Sequence, residues 1–203
     1  DKRGMSRVHL RARADFTKTS TGDIRGKIDV RDIALQNSSG TYSIGNANLS
    51  SYSSDSTYIM RLDSKFLNGS YSGSAPVTEF IKDLKNITLK KELPALFEDS
   101  AYAWNGNTYS LGFRFYNSMD ILSFVMPGLY IDEGTEIKAE IDKGGHLSAG
   151  LHSNRLAFEK NYLKGLDAEF SNADEELSGR VRCSEIKLAS LAMKESNLNV
   201  HGN

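Results

Sequence analysis

Val8-His-Leu-Arg-Ala-Arg-Ala-Asp-Phe16 alternates without a break. Val8, Leu10, Ala12, Ala14 and Phe16 share one parity, and His9, Arg11, Arg13 and Asp15 take the other. Side chains of an extended chain point to opposite faces in turn, so this period of two makes a strand with one apolar and one wet face. Ile24, Gly26, Ile28 and Val30 repeat the pattern. Ile33 and Leu35 resume it after a one-residue slip at Asp32, which predicts a bulge.

The alternation continues to the end of the chain, punctuated by turn residues. Asn37 to Gly40 reads as a turn, Tyr42, Ile44, Ala47 and Leu49 as a strand pair around Gly45-Asn46, and Tyr58, Met60 and Leu62 as another strand. Asn68-Gly69 reads as a further turn. Tyr102 and Trp104 face Tyr109, Leu111, Phe113 and Phe115 across Asn105-Gly106-Asn107, a predicted hairpin. Ile137 to Ile141, Leu147 to Leu151, Leu156 and Phe158, Leu166 to Phe170, Leu177 to Cys183, Ile186 and Leu188, and Leu198 and Val200 supply the remaining strands. Spacing of this kind predicts an all-β, sequentially paired antiparallel meander of about 14 to 16 strands.

Two segments break the period. Pro76 opens a helix in which Val77, Phe80, Ile81 and Leu84 form an apolar stripe, and residues 75–98 are assigned to a helical insert interrupted at Pro94. Asn117-Ser118 caps a short helix over 118–126, closed by Pro127-Gly128.

Charge excludes one class of partner. The chain carries 25 Lys and Arg against 26 Asp and Glu, and nucleic acid demands clustered basic residues that this balance does not supply. A lone Cys183 rules out an internal disulfide. His9, His146, His152 and His201 are scattered, without metal-ligand spacing to one another or to Cys183. No Gly-x-Ser-x-Gly elbow and no phosphate loop occurs, and the clusters Asp132-Glu133 and Asp174-Glu175-Glu176 lie in turns. The expectation is a non-enzyme with no catalytic residue, cofactor or metal. Asp1 at the start, strand-like Leu198 and Val200 at the end, and the lack of a signal or membrane-spanning run suggest one elongated domain, 1–203, cut from a longer chain.

Such strands hide their apolar face in a sandwich, a barrel or a curled trough. Ala12, Ala14, Gly26, Ala139, Ala149 and Ala168 are small for inward positions, which suits a narrow, taco-like trough. At about 4.8 Å per strand, 14 to 16 strands extend it by roughly 65 to 75 Å. Leu10, Ile28, Leu62, Phe113, Phe115, Ile137, Leu151 and Phe158 are the residues expected to line it.

Met119-Asp-Ile-Leu-Ser-Phe-Val-Met-Pro-Gly-Leu-Tyr-Ile-Asp-Glu-Gly-Thr-Glu-Ile137, with the strands through Leu156-Ala-Phe158, Leu166, Leu177 to Cys183 and Ile186-Lys-Leu188, resembles the TamB family of translocation and assembly module proteins in the AsmA-like superfamily. Asp29-Val-Arg-Asp-Ile-Ala-Leu35 and the 75–98 insert fit the same rhythm. The resemblance implies an interior periplasmic segment of an envelope-spanning protein. An anchor elsewhere in the chain would tether it to the inner membrane and make the only membrane contact. Its hydrophobic groove would carry phospholipid and support outer-membrane protein assembly beside an outer-membrane partner of the TamA type. Two rival expectations come from other classes: an adhesin-like β-sandwich module with a dry core, and a scaffold that pairs unfolded strands along an exposed edge.

Overall fold

The computed structural model describes residues 6–18, 24–87, 104–172 and 177–202. Twelve strands and two helices follow in chain order: β1 (Arg7–Lys18), β2 (Ile24–Asn37), β3 (Gly40–Ser54), β4 (Thr57–Ser64), β5 (Leu67–Gly73), α1 (Val77–Lys85), β6 (Tyr109–Phe115), α2 (Met119–Val125), β7 (Leu129–Ile131), β8 (Glu136–Ile141), β9 (Leu147–Phe158), β10 (Asn161–Ser171), β11 (Leu177–Leu188) and β12 (Leu191–Gly202). All twelve belong to one antiparallel sheet, ordered β1-β2-β3-β4-β5-β6-β8-β9-β10-β11-β12, with β7 added beside β9. This is the expected all-β meander, a curled sheet that does not close into a barrel. The expected strand number is too high because several predicted breaks fall inside strands. Eleven strands on the main path make ten steps from β1 to β12, roughly 48 Å measured along the sheet at about 4.8 Å per step.

Gly45-Asn46 and Asn68-Gly69 are two such breaks; both dipeptides lie within β3 and β5. Gly45, at φ +89°, marks an irregularity within β3. Gly69 stays in register because a Cβ there would meet the Phe113 ring at 2.8 Å, so the ring occupies the space a side chain would fill. Ser50 to Ser56, polar enough to read as a turn from the sequence, bends only at Asp55-Ser56, and β3 runs on to Ser54. Trp104 to Thr108 form no strand, and Tyr102, in the first arm of the expected 102–115 hairpin, lies outside the described residues. β6 pairs with β5 and β8.

The bulge expected at Asp32 is present. Asp32 and Ile33 stand opposite the single Leu10, with Asp32 at φ 55°. Its N–H donates to Asn46 Oδ1 at 3.1 Å and its carboxylate meets Arg11 Nε at 3.3 Å, so neighbouring strands hold the irregularity from both sides. The extra residue returns Leu35 to the face of Val8, its partner on β1.

Both helices lie on that face. Phe80 of α1 packs edge-on against Tyr109 at 5.3 Å and on Tyr71 at 5.9 Å between ring centroids. With Ile87, Ile141 and Leu147 these rings form the buried core. α1 covers less than the predicted 75–98 insert: it starts after Pro76, and 88–103 lie outside the described residues. Ile81, expected in its apolar stripe, is 61% exposed, because the core takes Phe80 with Val77 and Leu84 at the i−3 and i+4 positions. α2 matches the expected short helix, and Phe124 meets Tyr42 of β3 at 6.3 Å. Ser118 at its N-cap donates its hydroxyl to Ile131 O at 3.3 Å and makes no side-chain cap.

Candidate functional site: an open apolar row

Residues directly opposite one another in a sheet project from the same face. From Ala14 the register therefore traces one row across the molecule: Ala14, Ile28, Leu49, Leu62, Gly69, Phe113, Ile137, Leu151, Ala168, Val181 and Leu198. Every member is apolar, yet none is buried. Ile137 and Val181 are each 37% exposed and Leu198 is 60% exposed. A second packed layer would have driven these values toward zero.

One residue over, the pattern reverses. Asp15, Lys27, Ser50, Arg61, Ser70, Gly112, Lys138, Gly150, Glu169, Arg180 and Asn199 form the adjacent row on the other face. That face carries ion pairs such as Arg180–Glu169 and Arg114–Glu136 and is built for water. A shallow depression of about 620 Å³ there is edged by Lys138, Glu169 and Arg180, with Ala139, Ala149 and Phe170 also along it.

The apolar face is narrow because large side chains alternate with none. Phe16 faces Gly26, Phe113 faces Gly69, Tyr109 faces Gly73 and Phe170 faces Gly179 in direct cross-strand pairs. At Gly26, Gly69 and Gly73 the partner ring leans into the missing Cβ position, 2.6, 2.8 and 2.7 Å from where a Cβ would stand. On the α1 side the row opens into a cavity of about 290 Å³ between β1–β5 and the first turn of the helix, with no charged residue among those lining it.

Five of the eight expected contact residues, Ile28, Leu62, Phe113, Ile137 and Leu151, fall in the single row. Leu10 and Phe115 share its face one or two pleats away, by the even spacing of β1 and β6. Phe158 does not. It stands seven residues from Leu151 in an unbroken strand, and that odd interval turns it to the opposite face beside Leu129, 46% exposed. Leu49, Val181 and Leu198 belong to the row and were not among the candidates. They share the parity of their strands, but only cross-strand register reveals their alignment.

Beyond the row the faces change character. On its own face, Arg155 lies 5.5 Å above the Tyr130 ring and 5.4 Å from that of Tyr162, and Lys164 donates to Glu185 at 2.6 Å. Lys164 first, then Tyr162, hold the Glu185 carboxyl below its usual range, and Glu185 in return raises the Lys164 ammonium. Leu156, Leu163, Ile186 and Met193 take the other face there. The apolar slot therefore has a charged bank along β9–β11.

A polar network pins α1 at its far side. Buried Asp83 accepts from Tyr109 Oη at 2.6 Å, from Asn107 Nδ2 at 3.2 Å and from Asn105 Nδ2 at 3.2 Å. Burial first, and then the Asp83 carboxylate, push the Tyr109 and Tyr71 phenols well above the ordinary tyrosine value. Burial alone raises the Cys183 thiol. Among the described residues no three His, Cys, Asp or Glu side chains converge as metal ligands, and no helix is long and apolar enough to cross a membrane. No family model matches the chain, and neither a curated protein nor a solved structure matches it.

Proposed function

We propose that the helix-bearing face is a groove for acyl chains, and that the protein is a lipid-carrying segment of a TamB-like, envelope-spanning protein. The observation that carries this is the apolar row: eleven aligned positions, each partly wetted, running unbroken from β1 to β12. Each methylene laid along it gains about 0.8 kcal/mol, while the uniform, undirected contact sets no particular stopping point. The charged bank of Arg155, Lys164 and Glu185 gives a polar head group a wet edge to follow. In this role the segment works in the periplasm, tethered to the inner membrane through an anchor elsewhere in the chain. It passes phospholipid between the two membranes and supports outer-membrane protein assembly with a partner of the TamA type.

The single sheet speaks against a sandwich module, since no second sheet packs on the row among the described residues. One observation favours the strand-scaffold alternative: β1 and β12, each of 12 residues, leave one edge unpaired among the described residues. Purification without detergent, followed by solvent extraction and mass spectrometry, tests the proposal. Phospholipid recovered near one molecule per chain supports it, and a lipid-free protein overturns it.

A further inference from the structure

We propose that the 290 Å³ cavity beneath the first turn of α1 is a holding site for the end of one acyl chain. The inference rests on the acyl-chain groove above and assigns it a stopping place. Along most of the row a ligand touches one surface. Here it is contacted from two sides, by Ile28, Leu49, Met60 and Tyr71 beneath and by Phe16 and Val77 at the walls. Ile28 and Leu49 are members of the row itself, so a chain reaches the cavity without leaving the apolar track.

Gly26 keeps that entrance open. A Cβ there would fall 2.6 Å from the Phe16 ring, which leans over the glycine. No charged residue lines it and most of its lining is apolar, so the occupant that fits is hydrocarbon with its polar end outside. At about 30 Å³ per water-sized group, the space takes roughly ten methylenes.

The test uses the full chain and alkylphosphocholines of six to sixteen carbons, each below its micellar concentration, with Kd measured by calorimetry. Affinity should rise about fourfold per methylene up to roughly ten carbons and less steeply beyond, where the chain leaves the two-sided cavity for the one-sided row. Thr78→Trp fills the rim from an exposed position, and Val77→Asp puts a carboxylate in the wall at the acid-tolerant start of a helix. Each should weaken the ten-carbon ligand at least tenfold. Ala168→Phe, on the same row but four strands beyond the last of the cavity's floor, should leave it within twofold.

A wild-type chain that binds while both cavity variants bind equally well overturns the holding site and leaves the groove standing. A wild-type chain that binds none of the series overturns both. A dimer in sedimentation velocity that Phe16→Ser dissolves would give the cavity to a second copy instead.

Discussion

Leu62→Asp combined with Leu151→Asp separates an open groove from a buried seam. The two positions share the row but are separated by Gly69, Phe113 and Ile137, four strand steps or roughly 19 Å. That distance exceeds the Debye length of about 8 Å in physiological salt, so the new carboxylates do not repel each other appreciably. Both leucines are half-buried, and losing about half of a leucine's burial costs roughly 1 kcal/mol per site. The variant should therefore fold, with a lowered melting temperature.

Lipid binding should respond far more strongly. A chain crossing one strand step lays down about four methylenes, so a hydrated carboxylate at that step removes about 3 kcal/mol of contact, roughly a hundredfold in affinity per site. Two sites together should empty the protein of co-purifying lipid, as read by mass spectrometry beside circular dichroism of the same sample. Unchanged lipid content in a folded variant would refute the groove. Complete unfolding would also count against it, since only a dry, fully packed row makes two carboxylates intolerable.

Gly73→Ala should destabilise by about 1–3 kcal/mol in urea unfolding, because the added methyl meets the Tyr109 ring at 2.7 Å and the Thr108 carbonyl at 3.0 Å. Ser56→Gly should stabilise by about 1 kcal/mol, since Asp55 and Ser56 form a two-residue hairpin turn at φ 49° and 64° where only glycine is unstrained. Tyr109 and Tyr71 titrate higher in the folded chain than unfolded tyrosine, near pH 10. Their contribution is therefore whole below pH 10 and is lost as pH climbs beyond it. Stability measured from pH 8 to 11.5 should fall at the alkaline end, and Tyr109→Phe should flatten that fall while costing about 1–3 kcal/mol at neutral pH, where Asp83 loses a donor.

Local chemistry made much of this fold legible. The slip at Asp32, the short helix after Ser118 and the turn at Asn37–Gly40 are written within a few residues, and the chain forms them there. Other features depend on partners far along the sequence. Asn68-Gly69 has the composition of a turn, but Phe113 fills the space over Gly69 and keeps the strand running. Phe158 looks like the continuation of Leu151 until the intervening residues prove to be unbroken strand, whereupon an odd count reverses its face. Parity along a strand is readable alone; register between strands is what turns eleven separate residues into one row.

That row also explains how a single sheet stands without a second layer. The chain exposes 13352 Å², whereas a compact monomer of 22.4 kDa exposes about 9,400 Å². Its dense packing is concentrated where α1 closes over Tyr71, Tyr109, Ile141 and Leu147, with a smaller contact where α2 meets Tyr42. Between those two helices the apolar face is held up by backbone pairing and by rings seated on glycines, neither of which needs a lid. A protein that only had to fold would gain from covering Leu49, Leu62, Phe113 and Ile137 with a longer helix. Leaving them half-wet gives up roughly 1 kcal/mol at each position, contact that hydrocarbon on this face would restore under the function proposed above. On that proposal the contact is kept for a ligand, and a surface whose stabilisation comes from a guest both binds it and can release it again.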